Sequence, residues 1–165
     1  MLTPGAPTEA DRQHYRAVMG HFTTGVAVVT AQSADGAFGM TTNALCSLSL
    51  DPLLLLVCFD NEARTLPIVR QARRFAVNVL SAGQSGVAGQ FASKIPVERK
   101  FKDIEHSLEH GAPVLEGVLA WLVCDLRELL PGGDHMIGIG EVVAMDHGEG
   151  EPLVWYRGSY APPAS

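Results

Sequence analysis

The sequence predicts a mainly β fold with short helices, its strands forming an antiparallel sheet closed on itself as a barrel. Segments with strand character outnumber helical stripes, and turn-rich stretches such as Ser33-Ala34-Asp35-Gly36 and Pro131-Gly132-Gly133-Asp134 join neighbouring segments directly. The intervening helices are too few and too short for the regular crossovers of a doubly wound parallel sheet. A chain of 165 residues suits one domain spanning 1–165, with a core from about 15 to 160 and flexible tails at 1–7 and 161–165.

Thr8-Glu9-Ala10-Asp11 is a helix start, and Tyr15, Val18, Met19 and Phe22 follow at the i, i+3, i+4, i+7 spacing of an amphipathic helix. The period then changes. Val26 to Thr30 and Ala37 to Thr42 form a β-hairpin about the Ser33–Gly36 turn. Cys46 to Leu50 alternates as a strand, Asp51-Pro52 breaks it, and the unbroken apolar run Leu53 to Phe59 predicts a strand buried on both faces. Thr65 to Arg74 reads as a short helix with proline near its start, and Phe75 to Leu80 as the next strand.

Gly83 to Ser93 is glycine-rich, yet Val87, Ala88 and Phe91 make a helical stripe. Lys94 to Glu116 reads as polar and irregular. Val118 to Leu129, Met136 to Met145 and Leu153 to Tyr156 are three late strands.

Composition excludes several function classes. Hydrophobic residues make up 47% and charged residues 18%, against roughly 25% charged in an average soluble domain. Such a chain is not disordered, and it has little charge with which to cover its surface, so a partner or a ligand is expected to cover the rest. The net charge of −6 and scattered basic residues offer no footprint for nucleic acid. Arg70, Arg73 and Arg74 read as a solvated helix face. The longest apolar run falls far short of the roughly 20 residues of a membrane helix, and Met1 to Pro7 lacks a secretory pattern, so the expected location is cytoplasmic. Cys46, Cys58 and Cys124 stand apart in apolar surroundings, as buried thiols of a reducing compartment do.

The familiar catalytic motifs are missing. His106 and His110 have the i, i+4 spacing of zinc ligands on a helix, but no third ligand accompanies them; the better reading is a solvated polar loop, with no metal. Gly138-Ile139-Gly140 lies within a strand pattern rather than opening a helix, and Gly83, Gly86 and Gly89 have the wrong spacing for a dinucleotide fingerprint. A different cradle is visible at Gly39-Met40-Thr41-Thr42-Asn43-Ala44 with Ser47 and Ser49, where hydroxyls and an amide meet the most apolar strand. A flat heteroaromatic ligand needs that mixture. Thr and Ser on an outward strand face give the same pattern, and both readings stand at this level.

Phe22-Thr23-Thr24-Gly25-Val26-Ala27-Val28-Val29-Thr30, Gly39-Met40-Thr41-Thr42-Asn43 and Cys46-Ser47-Leu48-Ser49-Leu50-Asp51-Pro52-Leu53 stand in order. Phe75-Ala76-Val77-Asn78-Val79-Leu80, Gln90-Phe91-Ala92, Lys100-Phe101, Gly133-Asp134-His135, Gly140-Glu141-Val142 and Pro152 to Tyr160 follow them. From about Tyr15 to Tyr160 the chain resembles the short-chain NAD(P)H:flavin oxidoreductases, the reductase components of two-component flavin-dependent monooxygenases.

The resemblance implies a split, Greek-key-like β-barrel of the FMN-binding type and a homodimer with flavin near the subunit interface. It also implies hydride transfer from NADH or NADPH to FMN or FAD, with a monooxygenase consuming the reduced flavin. By the same carry-over, Met40, Thr41, Thr42 and Asn43 lie along the flavin ring and ribityl chain, and Ser47, Leu48 and Ser49 supply main-chain and hydroxyl contacts. Thr65 sits near the phosphate, Lys100 and Phe101 border the flavin tail, and His135 faces the nicotinamide, with Tyr160 at the same mouth. Asn61-Glu62-Ala63-Arg64-Thr65 stands where family members often carry a serine-rich phosphate segment, and Lys100 stands where an arginine is frequent. For His135, positioning the substrate or supplying a proton competes with being a satisfied strand-end histidine. For the whole chain, a non-catalytic flavin carrier or sensor is the alternative function.

Overall fold

In a computed structural model, residues 5–161 are described; the tails expected at 1–7 and 161–165 fall largely outside this range. Helix α1 (Glu9–Met19) opens with a capping box in which the Thr8 hydroxyl accepts the Asp11 amide and the Asp11 carboxylate accepts the Thr8 amide. The strands are β1 (Thr24–Gly25), β2 (Ala27–Ser33), β3 (Gly36–Thr42), β4 (Leu45–Leu50), β5 (Leu53–Asp60) and β6 (Arg74–Val79). They continue as β7 (His106–Glu109), β8 (Ala112–Leu115), β9 (Ala120–Gly132), β10 (His135–His147), β11 (Val154–Tyr156) and β12 (Ser159–Ala161). Between β5 and β6 runs α2 (Thr65–Ala72); after β6 come α3 (Ser85–Ala92) and the single turn α4 (Val97–Lys100).

Seven strands form one antiparallel sheet in the order β3-β2-β6-β9-β10-β5-β4, and β1-β11-β12 and β7-β8 make two smaller ones. The edge strands β3 and β4 are joined only by Asn43-Ala44. Flat, seven strands would span about 29 Å, whereas that link reaches about 11 Å at most, so the sheet curls until the end of β3 and the start of β4 come within that reach. The expected closure is corrected in one respect: among the described residues no ladder joins β3 to β4. Helices α2, α3 and α4 pack against β3 instead, so side chains rather than backbone bonds occupy the seam.

Inside the curl lie Ala27, Val29 and Ala31 of β2, Leu55, Val57 and Phe59 of β5, Phe75 and Val77 of β6, and Cys124 and Leu126 of β9. Leu66 and Val69 of α2 close one end. Gly138 and Gly140 now have their reason: a Cβ on either would stand 2.6 Å from the ring of Phe59 or Phe75 respectively.

The strands buried on both faces are β2 and β6, not β5. Val26, Val28 and Leu80 pack outward against Ala88 and Phe91 of α3, and Ala76 packs against Ala112 and Val114 of β8. On β5, Leu54, Leu56 and Cys58 stay half-exposed, their face incompletely covered among the described residues. Arg73 and Arg74 are not a free helix face: Arg73 caps α2 and donates to the Leu126 and Arg127 carbonyls, and Arg74 pairs with Asp125 at 2.8 Å.

The stretch expected to be irregular holds the β7–β8 hairpin, anchored by a polar network. Asn78 is fully buried; its Oδ1 accepts the Leu115 amide at 2.9 Å, and its Nδ2 donates to the Val28 carbonyl at 3.0 Å and the Thr30 hydroxyl at 3.1 Å. Thr30 in turn donates to the Pro113 carbonyl. Asn78→Leu orphans the Leu115 N–H in an apolar setting, and a loss of about 2–4 kcal/mol in a urea melt is expected, with faster hydrogen exchange at Leu115. An unchanged midpoint overturns the anchor. His106 lies on β7 and His110 in its turn, where a strand holds them about 13 Å apart.

Of the three cysteines, only Cys124 is buried; Cys58 is half-buried and Cys46 is exposed, because β4 is an edge strand. Burial pushes the Cys124 thiol up to about 12, from an ordinary 9.0. The unfolded chain loses this proton first, so the stability it contributes is intact below pH 9 and drains as pH rises toward 12. Native protein at pH 8 is expected to be alkylated by iodoacetamide at Cys46 first, with Cys124 labelled only on unfolding; mass mapping checks this.

Candidate functional site

Two hollows flank the corner where β3 turns into β4. The first, about 390 Å3, is walled by Gly39, Met40 and Thr41 of β3, by Asp60 and Glu62 to Thr65, by Phe91 of α3, and by Ser93, Lys94, Ile95 and Lys100. Arg64, Lys94 and Lys100 bring positive charge, and Thr65 opens α2. The N-cap of α2 makes no side-chain bond, and its first turn holds no acidic residue. Its amide end and these cations suit an anion. Of the carboxylates in the same wall, Asp60 accepts the Glu62 amide at 2.7 Å. Lys100 is half-buried, and burial, with Arg64 nearby, lowers its ammonium below the usual lysine range.

The second hollow is wider, about 900 Å3, and largely apolar. Tyr15, Met19 and Phe22 from α1 and its exit, Asn43 to Cys46, Leu56 and Cys58 line it, with Gly132, Asp134, His135 and Ile137. His135 begins β10 directly after the tight turn at Gly133, whose φ of 73° favours glycine. Asn61 fastens that turn, its amide donating to the Asp134 carbonyl at 3.1 Å and its side chain to the Gly133 carbonyl at 3.3 Å. The His135 Nδ1 lies 2.8 Å from the Asp134 carboxylate, which this contact holds below the usual carboxylate range. A donated Nδ1–H leaves Nε2 free. Across the ladder His135 faces Asp60, a residue of the first hollow, so the two hollows share a wall.

The residues singled out from the sequence therefore divide. Met40, Thr41, Thr65 and Lys100 line the first hollow, and Asn43 and His135 the second. Ser47, Leu48 and Ser49 line neither; Ser47 and Leu48 are exposed on edge strand β4, where a bulge between Ser47 and Ser49 interrupts the ladder. An edge strand with a bulge leaves backbone groups unpaired, the property that main-chain contacts to a ligand require. Thr42 is buried, and its hydroxyl accepts the Ala44 amide at the corner. Phe101 stacks edge-on against Phe91 at 5.0 Å, and Tyr160 against Trp155 at 4.9 Å; both pack against the cluster of Val26, Val28, Leu80, Ala88 and Phe91, and neither lines either hollow.

Sequence reasoning missed Lys94 and the α1 aromatics as lining residues. Lys94 carries no local signal, and the α1 stripe has the period of an ordinary core helix. Yet Tyr15 is 67% exposed and Phe22 70%.

The sequence matches the family described as the flavin reductase like domain over residues 19–164. A flavin reductase of Pseudomonas putida is 42% identical over 153 residues, spanning 91% of this chain and 89% of the relative. The reductase component of a 4-nitrophenol 4-monooxygenase/4-nitrocatechol 2-monooxygenase from Rhodococcus opacus is 39% identical, spanning 91% of this chain and 80% of the relative. Among solved structures, an NADH:FAD oxidoreductase of Streptomyces globisporus in complex with NAD and FAD fragments superposes with a TM-score of 0.88 at 34% identity, covering 100% of this chain and 99% of that one. With a curled antiparallel sheet, paired hollows and this similarity along nearly its whole length, the chain belongs to the flavin reductase like domain family.

Proposed function

We propose that this chain is an NAD(P)H:flavin oxidoreductase that passes reduced flavin to a partner monooxygenase. The observation that carries the reading is the shared wall: a cation-lined hollow suited to an anionic tail adjoins an open apolar hollow bearing His135. Relatives named as reductase components of monooxygenases support the partner. The same reading takes 1–165 as one such domain, with the curled sheet a split β-barrel in which α2 and α3 fill the seam.

The residues fit a flavin. Arg64, Thr65 and the amide end of α2 suit its phosphate, Met40 and Thr41 the ribityl chain, and the unpaired edge of Ser47 to Ser49 the polar rim of its ring. Flavin and nicotinamide supply the hydride chemistry between themselves; the protein contributes placement and electrostatics. His135 offers Nε2 to the nicotinamide carboxamide, its ring held through Nδ1 by Asp134. Tyr15, Met19 and Phe22 give that hollow an apolar rim.

Those three side chains and Val18 are exposed in a single copy, so the reading includes a homodimer that covers them. A monomer on a sizing column at micromolar concentration overturns it. No helix among the described residues is long and apolar enough to cross a membrane. The three free thiols suit a cytoplasmic setting.

The deciding assay mixes the protein with NADH or NADPH and FMN or FAD and follows the nicotinamide absorbance. Oxidation with at least one pair is expected, and none with any pair ends the enzyme reading. A flavin spectral shift without turnover identifies a carrier instead.

A further inference from the structure

Lys100 stands where a cation for the flavin tail is expected, yet its ammonium is already committed. The Nζ donates to the Phe91 carbonyl at 2.7 Å and reaches the Gly39 carbonyl at 3.4 Å. Phe91 lies in the last turn of α3, where carbonyls lack helical partners and a cation is favoured. Gly39 lies on β3, and its bare Cα is what admits the Phe91 ring, since a Cβ there would sit 2.6 Å from it.

The contact is reciprocated. Gln90, the residue before Phe91, sends its side-chain amide back to the carbonyls of Lys100 and Lys102, both at 2.9 Å. Thr41 adds a third tie, donating to the Ala88 carbonyl at 2.7 Å. The end of α3, the end of α4 and the middle of β3 are thus clamped together, and Gly39, Thr41, Phe91 and Lys100 are all wall residues of the cation-lined hollow. Arg64 lines the same hollow as the N-cap residue of α2, beside the amide end of that helix, with one bond at 3.4 Å to the Ile95 carbonyl and most of its donors unspent; Lys94, the third cation of the wall, stands past the carbonyl end of α3 instead.

We propose that Lys100 is a positioning residue that braces the α3–β3 wall of the flavin hollow, and that Arg64 is the cation that meets the flavin phosphate. This rests on the flavin reading above and assigns different roles to two neighbouring cations. A brace serves every flavin alike, whereas a phosphate ligand serves only those that carry phosphate.

Fluorescence titration of riboflavin and FMN against the wild type, Lys100→Met, Gln90→Ala and Arg64→Gln separates these roles. Lys100→Met is expected to weaken both ligands by about tenfold, leaving the preference for FMN unchanged to within about twofold. Gln90→Ala is expected to act in the same direction on both, although Gln90 does not line the hollow. Arg64→Gln is expected to weaken FMN by about tenfold and to leave riboflavin unchanged. A Lys100→Met protein that binds riboflavin normally and loses only FMN overturns the brace. So does a Gln90→Ala protein with normal riboflavin affinity, which decides the matter if circular dichroism shows Lys100→Met unfolded. An Arg64→Gln protein that keeps its preference for FMN overturns the assignment of Arg64. Wild-type protein that takes up neither ligand overturns the flavin reading itself, a result distinct from the others.

Discussion

Gly140→Val is expected to unfold this protein or leave it severely destabilised. A Cβ at position 140 would stand 2.6 Å from the Phe75 ring tip and 2.9 Å from the Cβ of Cys124, and the Cys124 Cβ, fixed to the backbone, cannot rotate away. Phe75 is itself completely buried and packs edge-on against Phe59 at 6.0 Å, so its ring has no free space to enter. Overpacking a filled core costs about 1–3 kcal/mol per site and more where backbone must shift. Valine adds two methyls beyond the offending Cβ, and small domains have only about 5–15 kcal/mol to lose. Gly86→Ala is the control: it lies on α3 with no atom within 4 Å of the added methyl, and a gain of about 0.5–1 kcal/mol is expected from helix propensity. Urea midpoints measure both. A Gly140→Val protein with a wild-type midpoint would show that the curl is looser than its packing indicates.

His135→Ala is the second large effect, and it falls on catalysis rather than folding. His135 is half-buried at the start of β10, and its ring is not part of a core cluster, so the fold is expected to survive. Losing one positioned hydrogen bond to the nicotinamide removes about 1.5 kcal/mol, or about tenfold in kcat/KM for the reduced nicotinamide. Flavin affinity is expected to change far less, because the cation-lined hollow does not include His135. Steady-state kinetics at saturating flavin, paired with a flavin titration, read the two quantities separately. Unchanged kcat/KM would return His135 to the role of a satisfied strand-end residue.

Local chemistry made much of the fold legible. The Thr8–Asp11 capping box announces α1, the Ser33–Gly36 turn announces the β2–β3 hairpin, and the proline near the start of α2 sits where helices accept it. Each of these signals acts within a few residues, which is why sequence alone carries it. The β7–β8 hairpin was not legible because its anchor is remote: Leu115 is held by Asn78, and Pro113 by Thr30. The apolar run of β5 misled for the same reason. An unbroken run signals strand, but whether its outer face is covered depends on elements that pack there, and among the described residues Leu54, Leu56 and Cys58 stay half-exposed.

The site divides along the same line. Met40, Thr41, Asn43, Thr65, Lys100 and His135 were named from residue order and resemblance, and the curl of the sheet brings them to two adjoining hollows. Thr42 also secures a corner, Phe101 and Tyr160 pack against the cluster that holds Phe91, and the Lys100 ammonium donates to the Phe91 carbonyl.

By itself the sequence determined the mainly β class, the β2–β3 hairpin, the family and the residue types of the site, since these depend on period, turn chemistry and motif order. Only the tertiary structure decided which strands are covered on both faces, why Gly138 and Gly140 must be glycine, and which cation of the hollow is tied to the end of α3. Those properties are set by distances between segments far apart in the chain, and it is the curling of the sheet that brings them together.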